Sequence, residues 1–172
     1  MEKVDLIRIR TMAEDSAGRI DRIFLHWSAG HYGQLFSDYH ICIDKNGEIY
    51  ASVDSFDITL AHTWHQNSGS IGIAILCCAG ATTVSLGDEP PAEAQMEAMA
   101  QVIAALCQAL CLPCDYGHVR THAEQADIDD YGPATTCERW DLWFLKNDQA
   151  RGSGGDILRG KAIWYMQYGV GP

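Results

Sequence analysis

Between His118 and Asp141 the chain reads HVRTHAEQADIDDYGPATTCERWD, bringing two imidazoles and a thiol into one short span. Thiolate and imidazole are the ligand types zinc prefers. Neither His122 nor Cys137 closes a metal site alone, so a further ligand must come from elsewhere in the chain. His26, near the end of the apolar run Ile23 to Trp27, fits that need. Two imidazoles and a thiolate hold zinc with a fourth position open to water, the arrangement of a catalytic rather than a structural site. A rival grouping exists. Cys111, Cys114 and His118 have Cys-x-x-Cys-x-x-x-His spacing, and with His122 they would make a closed four-ligand zinc site.

Both readings depend on what positions these side chains. Ile23 to Trp27 is continuously apolar, as in a strand buried on both faces, and it delivers His26 to a strand end where functional residues often sit. Tyr39 to Ile43 and Glu48 to Val53 flank Asp44-Lys45-Asn46-Gly47, a strong hairpin signal. Residues 61–70 form a polar loop bearing Trp64. Ile71 to Cys77 is a further buried strand, with Gly72 marking a close backbone approach. After Pro90-Pro91, Met96, Met99, Ile103, Leu106 and Leu110 recur at helical spacing, and the helix stops before Pro113. Val119 to Thr121 is a short strand delivering His122. Residues 4–10 alternate and predict another strand, and residues 123–136 an irregular loop. Trp140 to Leu145 starts a helix. Residues 151–155 are a flexible break, after which Asp156 caps a last helix from Ile157 to Tyr168.

These elements predict an α/β fold: a single domain with a mixed central sheet flanked by helices. Residues 1–150 form the domain proper and 151–172 a C-terminal helical extension packed on or beside it. At 172 residues and 47% apolar, the chain buries a real core. Its net charge of −11 argues against nucleic acid or an anionic membrane surface as partner. The opening residues have no apolar signal core, and no run approaches the roughly 18 apolar residues of a membrane helix. Seven cysteines, an odd count, suit a reducing compartment. Synthesis and residence in a cytoplasm are the expectation, without membrane insertion.

Several blocks occur together and in order: Phe24 to Ala29, Tyr39 to Ile43 with Asp44 to Ile49, Ala61-His62 and Asn67 to Ile73. Pro91 with Gln95, Thr121 to Glu124 and Thr135 to Asp141 follow. In this register the chain, over about residues 20–145, resembles the zinc-dependent N-acetylmuramoyl-L-alanine amidases, including phage lysozyme-type amidases and peptidoglycan recognition proteins. The resemblance implies one zinc ion on His26, His122 and Cys137, with Tyr39 directed at the water or the scissile carbonyl. Thr135 falls where amidase-active recognition proteins carry a threonine and the phage enzymes a lysine. The stretch from His122 to Cys137 is longer than in compact phage members, so Asp129 or Asp130 competes with Cys137 for the third place.

The implied reaction is hydrolysis of the amide between the lactyl group of N-acetylmuramic acid and L-alanine in peptidoglycan. Zinc lowers the pKa of a water to about 7 and polarises the carbonyl. Tyr39 and Thr135 would orient that water or donate to the developing oxyanion, and Glu124 and His65 are candidate general bases. His62, Trp64 and His65 would wall a groove for the muramyl peptide. Without an export signal, the expected role is that of a phage or prophage endolysin released onto the wall. Two alternatives stand beside it: a non-catalytic peptidoglycan-binding module on the same fold, and a thiol hydrolase using Cys137 with His122.

Overall fold

A computed structural model describes residues 1–130 and 141–169. Its centre is a six-stranded mixed sheet in the order β1-β4-β3-β5-β2-β6. The strands are β1 (Glu2–Val4), β2 (Arg22–Trp27), β3 (Ile41–Ile43), β4 (Ile49–Ala51), β5 (Ser70–Ile75) and β6 (Val119–Thr121). β3, β5, β2 and β6 run parallel, while β4 turns back against β3 and β1 against β4. The hairpin signal at Asn46-Gly47 becomes the β3–β4 connection. Gly47 sits there at φ +82°, and Asp44 Oδ1 accepts from both Asn46 N and Glu48 N at 2.9 Å.

Four helices accompany the sheet: α1 (Leu6–Asp15), α2 (Glu93–Leu110), α3 (His122–Ile128) and α4 (Ser153–Tyr168). Helix α2 is the core helix, burying Met96, Met99, Val102, Ile103, Leu106 and Leu110. These join Ile23, Leu25 and Trp27 of β2 and Ile71, Ile73 and Ile75 of β5 in one cluster. Helices α1 and α4 both pack against α2. At the end of the sheet nearest its first turn, the buried Gln95 works in three directions. Its Oε1 accepts from Ala92 N at 3.0 Å, while Nε2 donates to Ile43 O at 3.2 Å and Leu76 O at 3.0 Å.

Four local expectations need correction. Residues 4–10 are strand only to Val4. The carboxylate of Asp5 then accepts from Arg8 N at 2.8 Å and starts α1, whose Ile9, Met12 and Ala13 are buried at helical steps. The predicted loop after His122 begins instead as α3. Thr121 Oγ1 accepts from Glu124 N at 3.1 Å while Glu124 Oε2 accepts from Thr121 N at 2.8 Å, a reciprocal capping box. The helix predicted from Trp140 is a run of turns from Asp141 onward, with Leu142 in the left-handed region at φ +56°. Lastly, α4 starts at Ser153, ahead of Asp156, because Gly154 and Gly155 are inside it and pressed against neighbours. No helix among the described residues is long and apolar enough to cross a membrane.

Candidate metal centre

Strand register places the two histidines side by side. In the parallel pairing of β2 with β6, Leu25 lies opposite Thr121, so His26 and His122 stand at the same level one step further on. Their ring centroids are 4.9 Å apart, about the spacing of neighbouring strands. Side chains alternate across a sheet. Ile23, Leu25 and Trp27 therefore face the helical core, and Phe24 and His26 face the opposite side, where loops 28–40 and 52–69 cover them.

Asp141 closes the group. Its Oδ2 lies 2.9 Å from His26 Nδ1 and 3.2 Å from His122 Nδ1, while Oδ1 accepts from Trp27 N at 2.6 Å. Its backbone is tied in as well, since Asp141 O accepts from Ala123 N at 3.1 Å. His26, His122 and Asp141 are the grouping among the described residues that offers three ligand atoms within 4.8 Å of one another. Burial works against ionising Asp141, but attraction and hydrogen bonds from the two histidines outweigh it and hold the carboxylate below its ordinary range. Burial also pushes His26 down, further than Asp141 raises it. A divalent cation at this group needs the carboxylate ionised and the imidazoles neutral. Two imidazole nitrogens and one carboxylate oxygen are a donor set zinc accepts in catalytic sites.

The predicted residues fall into three groups. His26, His122, Tyr39 and His62 are brought together: the His26 ring is 5.0 Å from Tyr39 and 5.4 Å from His62. Ser52 Oγ donates to the carbonyl of Tyr39 and ties its backbone to the sheet. Burial and the nearby Asp141 push the Tyr39 phenol far up, so it stays protonated. His62 is held by Thr63 Oγ1 at 3.0 Å and Ser70 Oγ at 3.4 Å, and burial pushes it down to about 2. The close approach expected at Gly72 is to this ring, because a Cβ there would lie 2.6 Å from His62 Cγ. Trp64 and His65 stack on each other at 3.9 Å on the same loop, outside the donor group, with Trp64 45% exposed. Cys137 and Thr135 lie outside the described residues.

Other candidates are occupied elsewhere. Asp129 Oδ2 accepts from Gln125 Nε2 at 2.9 Å and Gln66 Nε2 at 3.2 Å, and neither Asp129 nor Asp130 belongs to the donor group. Glu124 is no free base, because Arg159 and the Thr121 amide hold its carboxylate. The rival zinc grouping does not form. Cys111 ends α2 at φ +57° on the exposed side, Cys114 Sγ points at Arg159 O, and His118 Nδ1 pairs with Asp115 Oδ1 at 2.7 Å.

Sequence reasoning passed over Asp141 as a donor. The signal was the Trp-Asp step at the end of the span that holds His122 and Cys137.

The description N-acetylmuramoyl-L-alanine amidase belongs to the family model that matches residues 2–140. No curated protein matches the chain. Among solved structures, the N-acetylmuramoyl-L-alanine amidase LysC from Clostridium intestinale URNW is 16% identical over 60% of this chain and 70% of that one, with a TM-score of 0.46. A chain of the ectodomain complex of peptidoglycan recognition proteins LCa and LCx, solved with tracheal cytotoxin, is 19% identical over 62% of this chain and 72% of that one, at 0.47. The recognition protein PGRP-Hd from Alvinella pompejana is 21% identical over 66% and 84%, at 0.43.

Proposed function

This chain belongs to the N-acetylmuramoyl-L-alanine amidase family, and from that premise we propose that it hydrolyses the bond between N-acetylmuramic acid and L-alanine in peptidoglycan, using one zinc ion. The observation that carries the reading is the meeting of His26, His122 and Asp141 beside the half-buried phenol of Tyr39. In this reading His26, His122 and Asp141 hold the ion, and the sequence-predicted Cys137 is the alternative to Asp141. When bound, zinc supplies a Lewis acid for the carbonyl and lowers the pKa of a water to about 7.

The chain's own groups do the rest. Asp141 orients both imidazoles through one oxygen and is itself anchored by Trp27 N, so the donors are arranged before any ion arrives. Tyr39 keeps its proton and donates a hydrogen bond to the lactyl carbonyl oxygen as negative charge develops there. The neutral His62 and Thr63 back the cleft, with Thr63 Oγ1 3.4 Å from His26 Nε2. Water's oxygen becomes the new carboxyl oxygen, and one of its protons leaves with the nitrogen of L-alanine. We assign the role of a wall-degrading endolysin, with the muramyl peptide as substrate.

Purified sacculi incubated with the protein and analysed by mass spectrometry test this. Release of stem peptides with a free L-alanine amino terminus, abolished by chelator and restored by zinc, is the expected result. Binding to sacculi without release would instead favour the non-catalytic module. Loss of activity on alkylation but not on chelation would favour the thiol hydrolase.

A further inference from the structure

Helix α4 lies beyond the stretch that resembles the amidases, yet its first two turns meet both junctions that present candidate donors. On the His122 side, Arg159 is buried and donates from Nη1 to Glu124 Oε2 and from Nη2 to Glu124 Oε1, both at 2.8 Å. Nη1 also donates to Val119 O of β6 at 2.9 Å. Glu124 is the residue whose capping box with Thr121 starts α3, and His122 is the first residue of that helix. Gly155 completes the seat: a Cβ there would lie 2.3 Å from Glu124 Oε1.

On the Asp141 side, a Cβ on Gly154 would lie 2.1 Å from the carbonyl oxygen of Leu142, the residue after Asp141. Leu142 is fully buried in the left-handed region, a conformation that persists only where surrounding structure imposes it. Gly152 N donates to Trp143 O at 2.7 Å and fastens the same turn.

We propose that the start of α4, through Arg159, Gly154 and Gly155, is the device that positions His122 and Asp141 relative to each other for metal binding. Both are positioning residues' targets on separate parts of the chain, and α4 is the element that touches the junction of each. The two-pronged grip of a guanidinium on a carboxylate fixes orientation as well as distance. Two successive glycines let the helix backbone come within reach of Glu124 and Leu142. The proposal rests on the zinc reading above.

The test measures zinc affinity by competition with a chromophoric chelator, with the metal-free fold followed by circular dichroism and thermal melting. Gly155→Ala is compared with Gly160→Ala in the same helix, where an added Cβ meets nothing within 4 Å. Both changes raise helix propensity, but only the first displaces Glu124. Gly155→Ala is expected to weaken zinc binding about 10-fold or more, the size seen when groups behind metal ligands are disturbed. Gly160→Ala is expected to bind as the wild type does. Arg159→Lys keeps the charge and loses the fork, and it too is expected to fold and bind zinc more weakly. Folded Gly155→Ala or Arg159→Lys with wild-type affinity overturns the proposal while leaving the zinc reading standing. Wild-type protein that takes up no zinc overturns both.

Discussion

Replacing Asp141 with asparagine separates the carboxylate from its shape. The side-chain oxygen of Asn stays on Trp27 N, where Asp141 Oδ1 accepts at 2.6 Å. Its amide nitrogen must then occupy the place of Oδ2, which lies 2.9 Å from His26 Nδ1 and 3.2 Å from His122 Nδ1. An amide NH2 cannot ligate a cation, and it meets the rings as a donor. Losing an anionic ligand should cost more than the roughly 10–100-fold typical of groups behind ligands. At least about 100-fold in zinc affinity is expected, or about 2.7 kcal/mol at 1.36 kcal/mol per factor of ten. The metal-free fold should change little. Two charge-assisted hydrogen bonds of about 1.5–3 kcal/mol each are lost, but burying an unprotonated carboxylate at 6% exposure costs several kcal/mol, which the substitution relieves. The assay is zinc content by elemental analysis and affinity by chelator competition, alongside thermal melting, for Asp141→Asn and Cys137→Ser. Asp141→Asn is expected to lose zinc without unfolding, and Cys137→Ser to keep it. Wild-type affinity in Asp141→Asn would refute the assignment, and zinc loss confined to Cys137→Ser would restore the thiolate.

Two other outcomes follow from the same cleft. Tyr39→Phe removes one hydrogen-bond donor aimed at developing charge, so kcat on sacculi should fall about 10²–10³-fold. KM and zinc content should stay unchanged, and a loss of zinc instead would show that the phenol supports the donors. Stability should also depend on pH through His62, whose folded pKa of about 2 lies below the unfolded value near 6.5. Between those values the unfolded chain binds a proton that the folded chain does not, so stability falls as pH drops below about 6.5. The slope is about 1.4 kcal/mol per unit for this group. The depressed carboxylate of Asp141 acts with the same sign in a lower window, stabilising at neutral pH and losing its contribution as pH falls below the ordinary carboxylate range. Urea unfolding of metal-free protein at pH 7.5 and 5.5 isolates the histidines. His62→Asn should flatten the wild-type dependence by about 1.4 kcal/mol, and an unchanged slope would mean that His62 is hydrated in the fold.

Much of the scaffold was readable because it is encoded locally. The apolar runs of β2 and β5, the Asn46-Gly47 turn and the three-and-four spacing of Met96, Met99 and Ile103 each state their structure within a few residues. What eluded reading was encoded in single side chains. Asp5 turns an alternating stretch into α1 by capping it, and Glu124 makes a helix of a predicted loop through an exchange with Thr121. His26 and His122 were legible as partners because parallel strands align residues at a common level. Asp141 was not, because Cys137 in the same span offers the softer ligand, and what sets this carboxylate beside both imidazoles is tertiary: the amides of Trp27 and Ala123, far apart in sequence, hold it there. The start of α4 was misplaced for a related reason. Gly154 and Gly155 look like a break, whereas their lack of side chains is what lets the helix approach Glu124 and Leu142.

Gln95 limits how freely this architecture can be redrawn. It receives one backbone N–H and supplies two backbone carbonyls from a single amide. Glutamate would turn both donors into acceptors, and leucine would strand all three groups in a dry interior. Methionine would fit the volume but not the chemistry. A redesign of the helix-to-sheet joint that treats position 95 as one more hydrophobic choice therefore loses the fastening between the first turn of α2 and the strand ends beneath it. Any substitute scheme has to furnish three replacement partners at once.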